Sequence, residues 1–452
     1  MLAAGHPVGE LAVLAYGERC GTLARSQGFA YTFSYAPHWI AARRPAISLA
    51  LPPQSEPFSD ELTRAYFGGL LPEGRARVHV AQQLQTDELD DFELLAQLGH
   101  ECAGAIQVIP TEQLTAQGEP GSNTGSNTGS VQWLSHDDLQ ELIASMRVPA
   151  QAGTTAKYNI SLAGAQLKRG VVVAGGNMGQ VGLPVGDELS THILKLAVDD
   201  YAGIVENEHC MQQLAADVGL RASATAIRDT GTERVLQVAR YDRTSSTLHD
   251  PERLHQEDMC QALGRLSSSK YERYEPATGA ARGPTIVDMI TLIRRTAAPS
   301  IAQVNDLLRL VWFNTIIGNV DAHAKNYSIL YNRPLTSYSI APLYDAICVS
   351  AYHAHNSQAK RLSEEPVVMN IGGQTHFWQI TRSDVAAHAR SLSIQPTFVI
   401  AQIQRLLRDI ASTIDARIDT AQASPETAHE ILETVRSEIQ ARCQFLVQQL
   451  AG

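Results

Sequence analysis

The sequence predicts an α+β fold, β-rich at the N-terminal end and mostly helical from the middle onward. Three observations carry that expectation. Residues 10–51 hold short apolar segments with strand-like alternation around a turn signal. From Gln256 the apolar spacing turns helical and ends in two long amphipathic stretches. Between these parts, 121–130 is a tandem four-residue repeat of Gly, Ser, Asn and Thr. It has no apolar side chain whose burial could offset the entropy of ordering it, so it reads as a mobile linker and a domain boundary.

The bulk numbers bound the function. A chain of 452 residues has room for two or three domains of roughly 100–200 residues. Net charge is −11, from 36 basic and 47 acidic residues, which argues against nucleic acid gripped over the whole surface and leaves room only for a local basic patch. The six cysteines are far apart with no C-x-x-C pair. They read as small buried apolar residues in a reducing compartment, not as a disulfide framework or a zinc site. The N-terminus lacks a basic leader, and no stretch reaches the roughly 18 apolar residues of a membrane span. The expectation is a soluble, cytoplasmic protein.

In chain order, Leu11–Leu14 and Cys20–Leu23 flank the turn signal Tyr16-Gly17-Glu18, and Phe29–Tyr35 and Ile47–Leu51 continue as strands. Helical spacing starts at Asp60 and breaks at Leu70–Gly74 and near Gly99. After the linker a helix is expected over 135–146. Tyr158 to Lys168 is rich in small residues; it reads either as a turn between strands or as a loop whose N–H groups approach a phosphate, with Lys168 adding charge. His192-Ile193-Leu194-Lys195-Leu196 is a strand whose single Lys is costly to bury unless an anion meets it. A helix follows over 205–218 and opens with Glu206-Asn207-Glu208, either a solvated helix start or a source of a partner for Lys195, Glu208 before Glu206. Leu236–Arg243 reads as a strand. The late helices are 398–416 and one capped by Ser424 and Pro425 that runs to Leu450, with Ala428, Leu432, Val435, Ile439, Cys443, Leu446 and Leu450 on one stripe.

One stretch carries chemistry. The apolar run Leu307–Ile317 reads as a buried helix with Gly318 at its C-cap. Asp321 follows, and Asn326 five residues later, the spacing of a protein-kinase catalytic loop. Nineteen residues beyond Asn326, Asp345 follows the strand-like Tyr338-Ser339-Ile340, where a second metal-binding Asp would stand. Asp321 and Asn326 alone fit a polar turn after a core helix equally well.

The ordered blocks decide between these. Leu70-Leu71-Pro72-Glu73-Gly74, Phe92-Glu93-Leu94-Leu95, Ala103-Gly104-Ala105, Ser161–Gln166, His192–Lys195, Arg240-Tyr241-Asp242-Arg243, His255–Gly264, Gly318–Asn326 and Pro342-Leu343-Tyr344-Asp345 together resemble the HipA family of toxin serine/threonine kinases from type II toxin–antitoxin systems. The resemblance implies a two-lobed, protein-kinase-like fold related to the PI3/4-kinases: an N-terminal β-rich subdomain over 1–115, a linker over 116–132, a kinase N-lobe over 133–254 and a helical C-lobe over 255–452. It implies ATP and Mg²⁺ as cofactors, with Asp321 as catalytic base and Asn326 and Asp345 as metal ligands. Lys195 and the phosphate loop of Ala163, Gly164, Ala165, Gln166 and Lys168 would contact phosphates. Arg240, Tyr241, His323 and Tyr344 would line the nucleotide pocket, Glu208 would pair with Lys195, and Ser161 would be the autophosphorylated serine that switches the kinase off.

The same resemblance implies growth arrest and persistence through phosphorylation of a translation-related protein, such as an aminoacyl-tRNA synthetase, and neutralisation by a HipB-like helix-turn-helix antitoxin. DNA would be reached only through that antitoxin, because the basic segment of some relatives has no counterpart around Lys360–Glu365. Ala239 and Leu167 stand where the family commonly has acids. The alternative is a catalytically weak kinase fold acting as an antitoxin-bound corepressor. Retention of Lys195, Asp321, Asn326 and Asp345 favours the enzyme.

Overall fold

The computed structural model describes residues 7–117, 129–147, 164, 166–176, 178–198, 200–244, 251–274, 281–296, 301–332, 337–353, 365–422 and 428–451. The chain forms two compact units: 1–196 with 228–268 and 329–339, and 197–227 with 269–328 and 340–452.

The first unit begins with β1 (Pro7–Ala15), β2 (Glu18–Ser26) and β3 (Tyr31–Tyr35), joined by β4 (Ile106–Pro110) into an antiparallel sheet of order β3-β2-β1-β4. Val13 pairs with Gly21 and Val108, so the alternating apolar residues of β1 face one core with Phe33, Phe67, Leu94 and Leu98. The helices are α1 (Pro37–Ala41), α2 (Asp60–Phe67), α3 (Gly74–Leu84), α4 (Asp91–Leu98) and α5 (Thr111–Gln117). Ser59 and Asp90 cap α2 and α4 by accepting from Leu62 and Glu93 N–H.

The expected strand over Ile47–Leu51 does not form. Only an isolated Ser48–Leu51 bridge is present. Tyr35 Oη accepts from Ile47 N–H and donates to the Leu51 carbonyl, and Leu49 N–H is taken by Glu257. Side chains have claimed the backbone groups a neighbouring strand would need.

A second, six-stranded sheet has the order β5-β7-β6-β8-β10-β9, from β5 (Ser130–Trp133), β6 (Lys168–Ala174), β7 (Gln180–Val185), β8 (His192–Lys195), β9 (Thr225–Asp229) and β10 (Arg234–Ala239). Helix α6 (His136–Arg147) supplies Leu139, Ile143 and Met146 to the core beneath it. Strand β10 stops at Ala239 rather than running to Arg243, because Arg240–Arg243 turn into a buried ionic cluster.

The second unit contains α7 (Ile204–Asp217), α9 (Ile286–Thr296), α10 (Ile301–Ile316), α11 (Arg382–Ser391), α12 (Pro396–Gln422) and α13 (His429–Leu450). Short elements, shared between the two units, interrupt the expected helical run from Gln256. They are β11 (Gln256–Asp258), α8 (Met259–Ala262), β12 (Arg273–Tyr274), β13 (Ala281–Arg282), β14 (Ser328–Asn332), β15 (Ser337–Ile340), β16 (Pro366–Ile371) and β17 (Gln374–His376). The stripe on α13 is buried from Leu432 to Leu450 as its periodicity requires; Ser424 and Pro425 lie outside the described residues. All six cysteines are buried and none is in a disulfide. Among the described residues no helix is long and apolar enough to cross a membrane.

Candidate functional site

The apolar run from Leu307 forms the buried second half of α10, which ends at Ile316 with Ile317 buried just beyond it. The helix closes in a Schellman motif, with Asn319 N–H on the Asn314 carbonyl (2.9 Å) and Gly318 N–H on the Thr315 carbonyl (3.4 Å). Gly318 adopts φ +73°, and a Cβ there would lie 2.7 Å from Ser350 Oγ. The turn is fixed from a distant part of the chain. Arg442 of α13 donates through Nε to the Ile316 carbonyl (3.1 Å) and through Nη2 to the Thr315 carbonyl (2.9 Å). Its cation complements the negative end of α10, and Glu365 and Glu438 pair with it.

The loop beyond Gly318 is organised by Asn319, a buried residue of the motif to which the spacing assigned no role. Its Nδ2 donates to Asn314 Oδ1 (2.9 Å) and to the Asp345 carbonyl (3.0 Å), and its Oδ1 accepts from Asp321 N–H (3.3 Å). One amide thus ties the Asp321 and Asp345 backbones to the same helix end. Asp345 sits at φ +53°, an uncommon conformation for a non-glycine residue. Gln212 of α7, with its amide turned as its neighbours require, bridges the Leu343 carbonyl and Asp345 N–H at 3.2 Å each. Asp321 is exposed, whereas His323 and Asn326 are buried. Tyr344 Oη donates to the Lys325 carbonyl (2.7 Å) and shares a 2.6 Å hydrogen bond with Ser328 Oγ, bracing the loop from the Asp345 side. Glu206 and Glu208 are buried on α7, so that helix start is not the solvated one its acids could have made.

In the first unit, Lys168 of β6 stands directly opposite Lys195 of β8. Like charges in facing positions repel, and Lys195 is buried. Gly164, at φ +112°, lies against the Lys168 ammonium: a Cβ there would be 2.7 Å from Nζ. The Gly164 carbonyl accepts from Glu73 N–H at 3.0 Å, and Gln166 Nε2 donates to the Leu196 carbonyl at 2.6 Å. Ser161, Ala163 and Ala165 lie outside the described residues.

Arg240 departs from its expected place at the nucleotide. Its Nε donates to Asp242 Oδ1, Nη1 to Glu101 Oε1 and Ser190 Oγ, and Nη2 to Asp242 Oδ2 and the Cys102 carbonyl. All five guanidinium donors are consumed, so the side chain is structural. Burial opposes ionisation of Glu101 and Asp242, but Arg240 and Arg243 outweigh it and hold both carboxyls below their ordinary values. Tyr241 is half-buried and donates to Gln256 Oε1 at 2.5 Å.

The oxygen donors Asn326 and Asp345 suit a hard cation such as Mg²⁺, which takes one or two protein ligands and completes its shell with phosphates and water. Among the described residues no group of three His, Cys, Asp or Glu side chains is arranged to hold a metal by itself.

Residues 160–441 match the model of the HipA-like C-terminal domain, and 11–109 match that of the HipA N-terminal domain. A Sinorhizobium fredii protein named "Putative kinase Y4mE" is 36% identical over 325 residues, 71% of this chain and 72% of that protein. The serine/threonine-protein kinase toxin HipA of Shewanella oneidensis is 24% identical over 419 residues, 92% of this chain and 90% of its own length. The solved Shewanella oneidensis complex of HipA, HipB and operator DNA contains a chain that superposes with a TM-score of 0.79 at 22% identity, covering 97% of this chain and 98% of that one.

Proposed function

The chain belongs to the HipA family and has its α+β, kinase-like fold, and from that premise we propose that it is an ATP- and Mg²⁺-dependent protein serine/threonine kinase. The observation that carries this is Asn319, whose single amide holds the Asp321 and Asp345 backbones on one rigid helix end. Asp321 is the base that accepts the proton of the substrate hydroxyl. Asn326 and Asp345 hold Mg²⁺, which would neutralise charge on the transferring phosphoryl group. Lys168 and Lys195 bind phosphate, with Gly164 and Gln166 and the neighbouring Ala163 and Ala165 forming the loop around it. Glu208 orients Lys195. Tyr241, His323 and Tyr344 line the nucleotide pocket. In this proposal 133–254 and 255–452 serve as the two kinase lobes.

The biological setting is a toxin that arrests growth by phosphorylating a translation-related protein and is neutralised by a HipB-like antitoxin, the kind of partner found with the HipA of the solved complex. Ser161 is the autophosphorylation site. A phosphate there adds about −1.5 to −2 charges beside a loop that binds another anion, so the modified loop releases ATP. Purified protein incubated with labelled ATP and Mg²⁺ tests the proposal: label on a serine, mapped to Ser161 by mass spectrometry, is expected. No incorporation with or without Mg²⁺ would leave a kinase-fold corepressor instead.

A further inference from the structure

Tyr271 plays no part in the roles above, yet its hydroxyl donates to Asp321 Oδ1 at 2.5 Å. Its ring meets His323 edge-on, with centroids 5.0 Å apart at 83°, and Lys270 and Arg273 lie over its face. The backbone beneath is held on several sides. Ala324 N–H donates to the Lys270 carbonyl at 3.1 Å. Gly283, at φ +89°, presses so close that a Cβ would come within 2.3 Å of the Tyr271 carbonyl oxygen and 2.4 Å of that of Ser269. Asn370 N–H donates to Glu272 Oε2 at 2.9 Å.

A general base must lie within hydrogen-bond reach of the proton it takes. The Tyr271 hydroxyl therefore stands where a substrate hydroxyl has to stand. A positioning role fits poorly. The Asp321 backbone is already held through its own N–H on Asn319, and a donor on Oδ1 occupies the lone pair that would take the substrate proton. We propose that Tyr271 is an internal pseudosubstrate: its hydroxyl occupies the acceptor position on Asp321, and its half-buried side chain must rotate away before a serine or threonine is engaged. The inference rests on Asp321 being the base. The pinned backbone confines the motion to the side chain, so the gate is a rotamer change and not a loop displacement.

An intramolecular occupant with a closed-to-open ratio K raises the acceptor KM by 1 + K. A charge-assisted hydrogen bond at an exposed carboxylate corresponds to a ratio of about ten. Tyr271→Phe keeps the ring and its contact with His323 and removes only the hydroxyl. It is expected to lower the KM for a degenerate peptide mixture with one central serine about tenfold at unchanged kcat. Basal Mg²⁺-ATP hydrolysis, in which water replaces the acceptor, should rise by the same factor. Tyr271→Leu should act in the same direction. A fall in kcat at constant KM, no change in either assay, or phosphate found on Tyr271 itself would overturn the proposal. If Asp321→Asn abolishes transfer while Tyr271→Phe changes nothing, only the gate fails. If Asp321→Asn retains transfer, the base assignment fails first and the gate with it.

Discussion

Replacing Arg442 by Met should weaken the candidate site from a helix 126 residues away in the chain. Met keeps much of the volume against Phe377, over which the guanidinium now lies at 3.5 Å, but removes the charge. Two buried carboxylates, Glu365 and Glu438, lose their cation, and the Thr315 and Ile316 carbonyls lose their donors. Removing one partner of a buried pair costs about 3–5 kcal/mol. In a cooperative unit of roughly 150–250 residues that corresponds to about 6–20 °C in Tm. The deficit should depend on pH. Burial opposes ionisation of Glu365, but Arg442, Ser350 and Trp378 together hold its pKa below the ordinary 4.5. In the wild type this stability is present above pH 4.5 and lost as pH falls through the folded value. In the variant the Ser350 and Trp378 hydrogen bonds remain but the cation no longer offsets burial, so that pKa rises and the penalty, full at pH 8, shrinks toward pH 5 as Glu365 begins to take a proton. Thermal denaturation of both proteins at pH 8 and pH 5 measures it. A deficit below about 1 kcal/mol at pH 8, or equal deficits at the two pH values, would refute the reasoning.

Two further outcomes are expected. Burial, against hydrogen bonds from Ser48, Tyr331 and Leu49 N–H, pushes Glu257 up to about 7. Its stability is complete below the ordinary 4.5 and lost as pH rises through about 7, in total about 3 kcal/mol; Glu257→Gln should therefore flatten the fall in Tm between pH 5 and pH 8, and an unchanged slope would count against it. Mg²⁺-ATP at about 100 times its Kd should stabilise the wild type by about 2.7 kcal/mol, and Lys195→Ala or Asp345→Ala should shrink that protection. Equal protection of all three proteins would place the nucleotide elsewhere.

Where sequence spacing is local, it was enough. The Gly318 C-cap and the core stripe on the last helix follow from spacing within one turn or one face. The features that escaped it depend on partners remote in the chain. Leu49 gives its N–H to Glu257, 208 residues away, which turns an apparent strand into a loop. Arg240 looked available for a nucleotide because Glu101, 139 residues earlier, is invisible from a local motif. Arg442 reads as one charge on an amphipathic helix, and only its position under the end of α10 shows its use. Asn319, an amide between the helix cap and the candidate base, is a local signal to which spacing alone assigns no role. Tyr271 has no such signal, since nothing in its own segment points to Asp321.

The central claim, that Asp321 is the base of a phosphoryl-transfer site, is tested most directly by Asp321→Asn. The substitution is close to isosteric at an exposed position, so the fold and Tm should be unchanged. Mg²⁺-dependent autophosphorylation, followed with labelled ATP beside the wild type, should fall by at least the roughly 10²–10⁴-fold typical of a lost acid–base group. Transfer at the wild-type rate in a folded Asp321→Asn protein would contradict the claim.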